Sequence, residues 1–95
     1  MEVIVNHIDH IDEELNGAME YAENYVVYKL TNPNWSQMYH DMSLQELTHA
    51  ENLRVIAQEA MNKVSYIPES DAELWKDKQR QHAEKKAMIK LLLSK

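Results

Sequence analysis

Cysteine and phenylalanine are absent from the 95 residues, glycine occurs once and proline twice. Without cysteine there is no disulfide scaffold, thiolate zinc site or cysteine nucleophile. One Gly and two Pro are too few for an all-β chain, which needs a turn signal about every 8–12 residues. No stretch approaches the roughly 18 consecutive apolar residues of a membrane span. The start, Met1 to His7, lacks the basic region and apolar core of a signal peptide, so a cytoplasmic protein without a membrane partner is expected. Bases are scarce as well: ten Lys and Arg stand against sixteen Asp and Glu, for a net charge of −6. That balance argues against nucleic acid as a partner.

What is present suits a small helical domain. The hydrophobic content is 44%, which argues against wholesale disorder. Domains of this size bury only about 60–65% of their unfolded surface, so oligomerisation is expected to help. Charge is spread unevenly. Residues 1–32 carry seven acids and one base, whereas 66–95 carry five acids and seven bases. Either both segments are solvated, or the basic C-terminal helix packs against an acidic face of a neighbouring chain.

Two breaks divide the chain. Thr31-Asn32-Pro33-Asn34 offers Asn32 as an N-cap and Pro33 as the first helical residue. Ser65 to Ser70 is the second, where Ser70 and Glu73 have the spacing of a capping box. The reading is helix 1 over about Asn6–Leu30, helix 2 over about Pro33–Lys63 and helix 3 over about Asp71–Leu93. The first connection is short enough to force helices 1 and 2 into an antiparallel hairpin. Residues 1–64 are thus a hairpin and 65–95 a C-terminal helix, within one domain spanning 1–95.

Helix 1 carries Ile4, Ile8, Ile11, Leu15, Ala18, Ala22, Tyr25 and Val26 at helical spacing. On helix 2, Trp35, Met38, Tyr39, Met42, Leu53, Ile56, Ala57, Ala60 and Val64 are expected to share the buried face. Helix 3 has a weaker stripe of Ala72, Trp75, Ala83, Ile89 and Leu93. It either lies on the hairpin or reaches across to a partner. Met19, Met38, Met42 and Met61 read as core fillers, and Tyr25, Tyr28 and Tyr39 as packing between helices. His40 and His82 have no ligand partner at helical spacing, and Lys85 and Lys86 read as a solvated patch.

Glu46 and His49 fall inside the apolar arc of helix 2, one turn apart. An ionised carboxylate placed there without a partner is costly. Glu-x-x-His on one helix with a single Glu on another is the ligand pattern of di-iron carboxylate bundles. Of the helix 1 acids, Glu20 lies opposite the apolar stripe and Glu23 is out of register with Glu46. Glu14 flanks the stripe and stands across the hairpin near Glu46. His7 and His10 lie near the Glu14 strip, either feeding metal toward it or belonging to an exposed helix start.

Glu14 followed by Tyr21, then a hairpin, then Glu46-Leu47-Thr48-His49-Ala50-Glu51-Asn52-Leu53 resembles the ferritin-like superfamily. The Glu-x-x-His-Ala-x-x-Leu segment is similar to rubrerythrins. A short chain with one such hairpin, and the Glu13-Glu14 doublet, resemble the encapsulated ferritins, whose half-size subunits pair to build the site. The likeness covers helices 1 and 2. The tail Leu91-Leu92-Leu93-Ser94-Lys95 differs from a standard encapsulin-targeting sequence, which leaves residence in an encapsulin shell without support there. The resemblance implies an all-α fold in which two hairpins form a four-helix bundle. Glu46 would bridge two metals, with Glu14 and His49 as terminal ligands and Tyr21 hydrogen-bonding a ligand or giving an electron. One chain supplies half of a di-iron site and a homodimer, or a higher homo-oligomer, the whole. The implied activity is oxidation of Fe(II) to Fe(III) for iron storage or detoxification, with peroxide reduction, a manganese site, or a non-enzymatic helical interaction module as alternatives.

Overall fold

The computed structural model describes residues 2–95. The order of elements is α1 (Glu2–Tyr28), α2 (Pro33–Asn62) and α3 (Glu69–Leu93), with no strand among the described residues. The chain forms a rod of 54 × 17 × 16 Å with a radius of gyration of 15.5 Å. A compact domain of this length has a radius near 12–13 Å, so much of each helix stays at the surface.

The first turn follows the expected chemistry. The Asn32 side chain accepts from the Trp35 N–H at 3.2 Å, Pro33 opens α2, and the Asn32 N–H returns to the Tyr28 carbonyl at 2.9 Å. Capping at Asn32 ends α1 at Tyr28, two residues before the expected Leu30. At its other end α1 begins earlier than Asn6 because Ile4 is buried and continues the stripe. The second break departs from the expected one. Helix α3 starts at Glu69, with Pro68 at the N-cap and no side-chain cap. The Ser70–Glu73 capping box is therefore not made; Ser70 already lies inside the first turn.

The core is the α1 stripe of Ile4, Ile8, Ile11, Leu15, Ala18 and Ala22, joined by Leu47, Ala50, Ala57 and Met61 from α2 and by Trp75, Ile89 and Leu93 from α3. Helix α1 is central. Helices α2 and α3 pack on two sides of it and meet one another only sparsely. Along the α1–α2 seam, Ser43 Oγ donates to the Ala18 carbonyl at 2.7 Å and Ser36 Oγ to the Tyr25 carbonyl at 2.8 Å.

This seam corrects the expected buried face of α2. Ser36, Ser43, Leu47, Ala50, Ala57 and Met61 are buried, whereas Trp35, Met38, Ile56 and Val64 are exposed. Met38 is thus no core filler, and Met42 is only half-buried. The physical reason is helix separation. Small side chains and hydroxyls that bond the opposing backbone let two helices come close, so Trp35, Met38 and Ile56 lie outside the seam, while Leu47 and Met61 help to fill it.

Helix α3 lies on the hairpin of its own chain, parallel to α1. Its basic residues find acids there. Asp12 on α1 accepts from His82 Nε2 at 2.7 Å and from Lys78 Nζ at 3.3 Å. Lys86 bonds Glu51 at 2.8 Å, Lys85 bonds Asn16, and Trp75 Nε1 donates to Gln58 at 3.0 Å. The expected solvated patch at Lys85 and Lys86 is therefore part of the α3 contact. His82 is buried with a carboxylate partner seventy residues away in sequence, beyond any search at helical spacing. Ala72 and Ala83 of the expected α3 stripe are exposed, because Lys78, His82 and Lys85 face α1 instead.

Candidate metal centre

Three side chains from two helices meet on one side of the hairpin. Glu14 comes from the middle of α1, and Glu46 and His49 from the middle of α2. One potential ligand atom of each lies within 4.8 Å of the others. His49 Nδ1 stands 3.6 Å from Glu14 Oε2 and 3.7 Å from Glu46 Oε1. The spacing along α2 puts Glu46 and His49 on adjacent turns of one face, and the hairpin supplies Glu14 opposite. Glu20 and Glu23 are both exposed, and neither takes part.

The cluster is shallower than the sequence pattern implies. The side chains of Glu14 and Glu46 are 19% and 26% exposed, and that of His49 is 55% exposed. Glu46 and His49 lie on the outward-facing flank of α2, with Glu14 of α1 beside them, where bulky apolar residues such as Trp35, Met38 and Ile56 are exposed. Trp35, Met38, Tyr39 and Met42 line an open groove of about 300 Å³ there, ending one turn short of Glu46. The aromatic residues continue across the hairpin. Tyr28 stacks on Tyr39 with ring centroids 5.8 Å apart and meets Trp35 edge-on at 5.5 Å.

Tyr21 belongs to this aromatic group. Its ring centroid is 6.1 Å from that of Tyr39, and among the described residues no hydrogen bond links its hydroxyl to Glu14, Glu46 or His49. Seven residues make two helical turns, about 10 Å along α1, which carries Tyr21 past the cluster within its own chain. The expected hydrogen bond from Tyr21 to a ligand is accordingly absent from the single chain.

The electrostatics are those of a carboxylate pair. Hydrogen bonding with Glu14 holds the Glu46 carboxyl above its ordinary value of 4.5, helped by burial and by the neighbouring negative charge and opposed by His49. Two carboxylates leaning on one another, with an imidazole nitrogen beside them, suit a cation better than they suit each other. Oxygen and nitrogen donors without thiolate match iron or manganese. On convergence and donor type, Glu14, Glu46 and His49 could hold a metal ion.

Gly17 borders the cluster, a neighbour that ligand spacing does not reveal. It lies one turn after Glu14, and a Cβ at this position would stand 3.6 Å from Glu46 Oε2. A glycine inside a helix is unfavourable by about 1 kcal/mol relative to alanine. The only glycine of the chain, in the middle of a 27-residue helix and one turn past a candidate ligand, is the signal that could have found it.

Comparison with family models, with curated proteins and with solved structures gave no match. The functional reading therefore stands on the geometry of the cluster and the surface around it.

Proposed function

We propose that the chain is an iron-binding protein of ferritin-like type that oxidises Fe(II) to Fe(III) at a centre shared by two copies. Each copy gives Glu14, Glu46 and His49. The observation that carries this reading is the placement of three converging O and N donors on an outward-facing apolar flank. A structural cluster would gain nothing from facing solvent beside Trp35, Met38 and Ile56. A half-site completed by a second copy would gain both the missing ligands and cover for those residues. The slenderness of the rod agrees with a subunit that pairs to bury surface.

Fe(II) is the substrate in this scheme. Each pair of Fe(II) ions gives up two electrons, which with two protons reduce oxygen to hydrogen peroxide. The protein holds the ions side by side. Its carboxylates offset their charge, increasingly so as it rises, and the apolar flank limits water around them. The products suit iron storage or detoxification.

Anaerobic titration with Fe(II), read together with mass in solution, tests this reading. A dimer that saturates at about one iron per chain is expected. Glu46→Ala and His49→Ala should each abolish oxidation on admission of oxygen while helical circular dichroism is retained. Tight one-to-one binding to a strictly monomeric form would refute the shared centre. Parent-rate oxidation by either variant would refute the ligand assignment.

A further inference from the structure

We propose that His10 is a fourth metal ligand of this centre and biases it toward iron over manganese. The inference rests on the functional reading above and extends its ligand set. His10 lies one turn before Glu14 on α1, and its Nε2 stands 3.7 Å from Glu14 Oε1. The other oxygen, Oε2, faces His49 Nδ1 at 3.6 Å. Each oxygen of the Glu14 carboxylate thus has an imidazole nitrogen beside it, at nearly equal distances.

The other histidine of this segment behaves differently. His7 Nδ1 is hydrogen-bonded to the Val3 carbonyl at 2.7 Å within its own helix, and no carboxylate of the described residues pairs with it. The His10 side chain is 56% exposed, so the ring can turn toward a cation at Glu14 without disturbing the core. With His10 included, one chain brings two carboxylates and two imidazoles. Imidazole suits iron and zinc, whereas manganese takes mainly carboxylate, carbonyl and water ligands. A second nitrogen therefore changes metal choice more than it changes the bare ability to hold a cation.

Zn(II) alone is the probe, since it is diamagnetic and adds no redox chemistry. The protein, uniformly labelled with nitrogen-15, is titrated at constant neutral pH while the imidazole nitrogens are followed by NMR. The His10 Nε2 resonance should shift together with that of His49 and saturate at the same Zn(II) concentration, while His7, His40 and His82 stay in place. A shift at His49 with none at His10 would overturn the proposal and leave the three-residue centre standing. Movement at neither would overturn both readings. As the second arm, His10→Ala should lower Zn(II) affinity by about tenfold or more, the scale on which even residues outside the ligand set act. Under anaerobic conditions Fe(II) affinity should fall clearly more than Mn(II) affinity, and His7→Ala should change neither. Equal losses for the two metals would overturn the bias toward iron.

Discussion

The two long faces of α2 are made of different material. Toward α1 it presents Ser36, Ser43, Ala50 and Ala57 together with Leu47 and Met61, and the two serine hydroxyls bond the α1 backbone. Away from α1 it presents Trp35, Met38 and Ile56, large and exposed, with His49 among them and Glu46 at the border. By size and hydropathy alone the second set looks more like a core. The inner face is limited by how near the helices come at Ser36 and Ser43, whose hydroxyls reach α1 carbonyls and where large side chains would hold the helices apart. The outer face is free of that limit, and it is the face on which the candidate centre opens. On this helix, serines and alanines share the seam with Leu47 and Met61, while Trp35, Met38 and Ile56 face away from α1.

The largest effects should separate these faces. Leu15 is fully buried on the α1 stripe, and Leu15→Ala should destabilise the protein by about 2–5 kcal/mol. Ile56, half exposed on the outer flank, should tolerate Ile56→Ala within about 0.5 kcal/mol in dilute solution. Urea unfolding at low and high protein concentration distinguishes the two. In the shared-centre reading, the Ile56 variant loses stability only as concentration rises, because only the paired form covers that residue. A comparable loss for both variants at high dilution would erase the distinction between the faces.

Next in size comes the seam itself. Ser43→Leu inserts a large side chain where the residue is fully buried, and overpacking of that kind costs about 1–3 kcal/mol. Ser43→Ala removes only the bond to the Ala18 carbonyl, for about 1 kcal/mol. Thermal melts of the two variants test whether closeness or hydrogen bonding matters more. Were leucine tolerated as well as alanine, the account of the small inner face would fail.

Much of this architecture is legible in the amino-acid sequence. The Asn32-Pro33 cap places the first turn because its geometry is local. The α1 stripe is readable because α1 is packed on two sides and its buried residues are conventional ones. Facing and register distinguish Glu14 from Glu20 and Glu23, and the structure sets it beside Glu46 and His49. The inner face of α2 is not legible, since the burial of Ser43 and Ser36 depends on carbonyls of another helix. The pairing of Asp12 with His82 and Lys78 is hidden for the same reason. Helical spacing reports neighbours within a helix and is silent on contacts between distant segments. The Ser70–Glu73 spacing misleads because Pro68 starts α3 earlier.

A smaller effect sharpens the comparison at the border between the faces. The Cβ introduced by Gly17→Ala would reach Glu46 Oε2 at 3.6 Å, an ordinary van der Waals distance. The substitution should therefore fit, and the gain in helix preference should raise stability by about 0.5–1 kcal/mol. Zn(II) affinity should stay near the parent value. Gly17→Leu carries further atoms beyond that Cβ and should push the Glu46 carboxylate aside, weakening Zn(II) binding while the fold persists. If the leucine variant bound Zn(II) as the parent does, Gly17 would have no part in positioning Glu46.

The smallest effect contrasts two carboxylates of α2 with opposite surroundings. Glu46 meets an acid and is pushed up. Glu51 meets bases, with Arg54 at 2.6 and 3.0 Å and Lys86 at 2.8 Å, and is pulled down from 4.5 to about 2. For Glu51 the hydrogen bonds from Arg54 are the largest cause and those from Lys86 the next. A carboxyl whose folded value lies below its unfolded one binds fewer protons in the folded state. Its contribution is complete above pH 4.5 and disappears as pH falls toward about 2. The side chain is 45% exposed, so solvent screening keeps the contribution under about 1 kcal/mol. Glu51→Gln should therefore lower the urea midpoint slightly at neutral pH, with the gap from the parent narrowing through the acid range. Because Lys86 belongs to α3, Lys86→Ala should reproduce part of that gap, while Arg80→Ala, at an exposed pair with Glu84, should reproduce none of it. A gap that widened on acidification would mean that the bases do not hold Glu51 ionised, and that the Lys86–Glu51 contact adds nothing to fixing α3 on the hairpin.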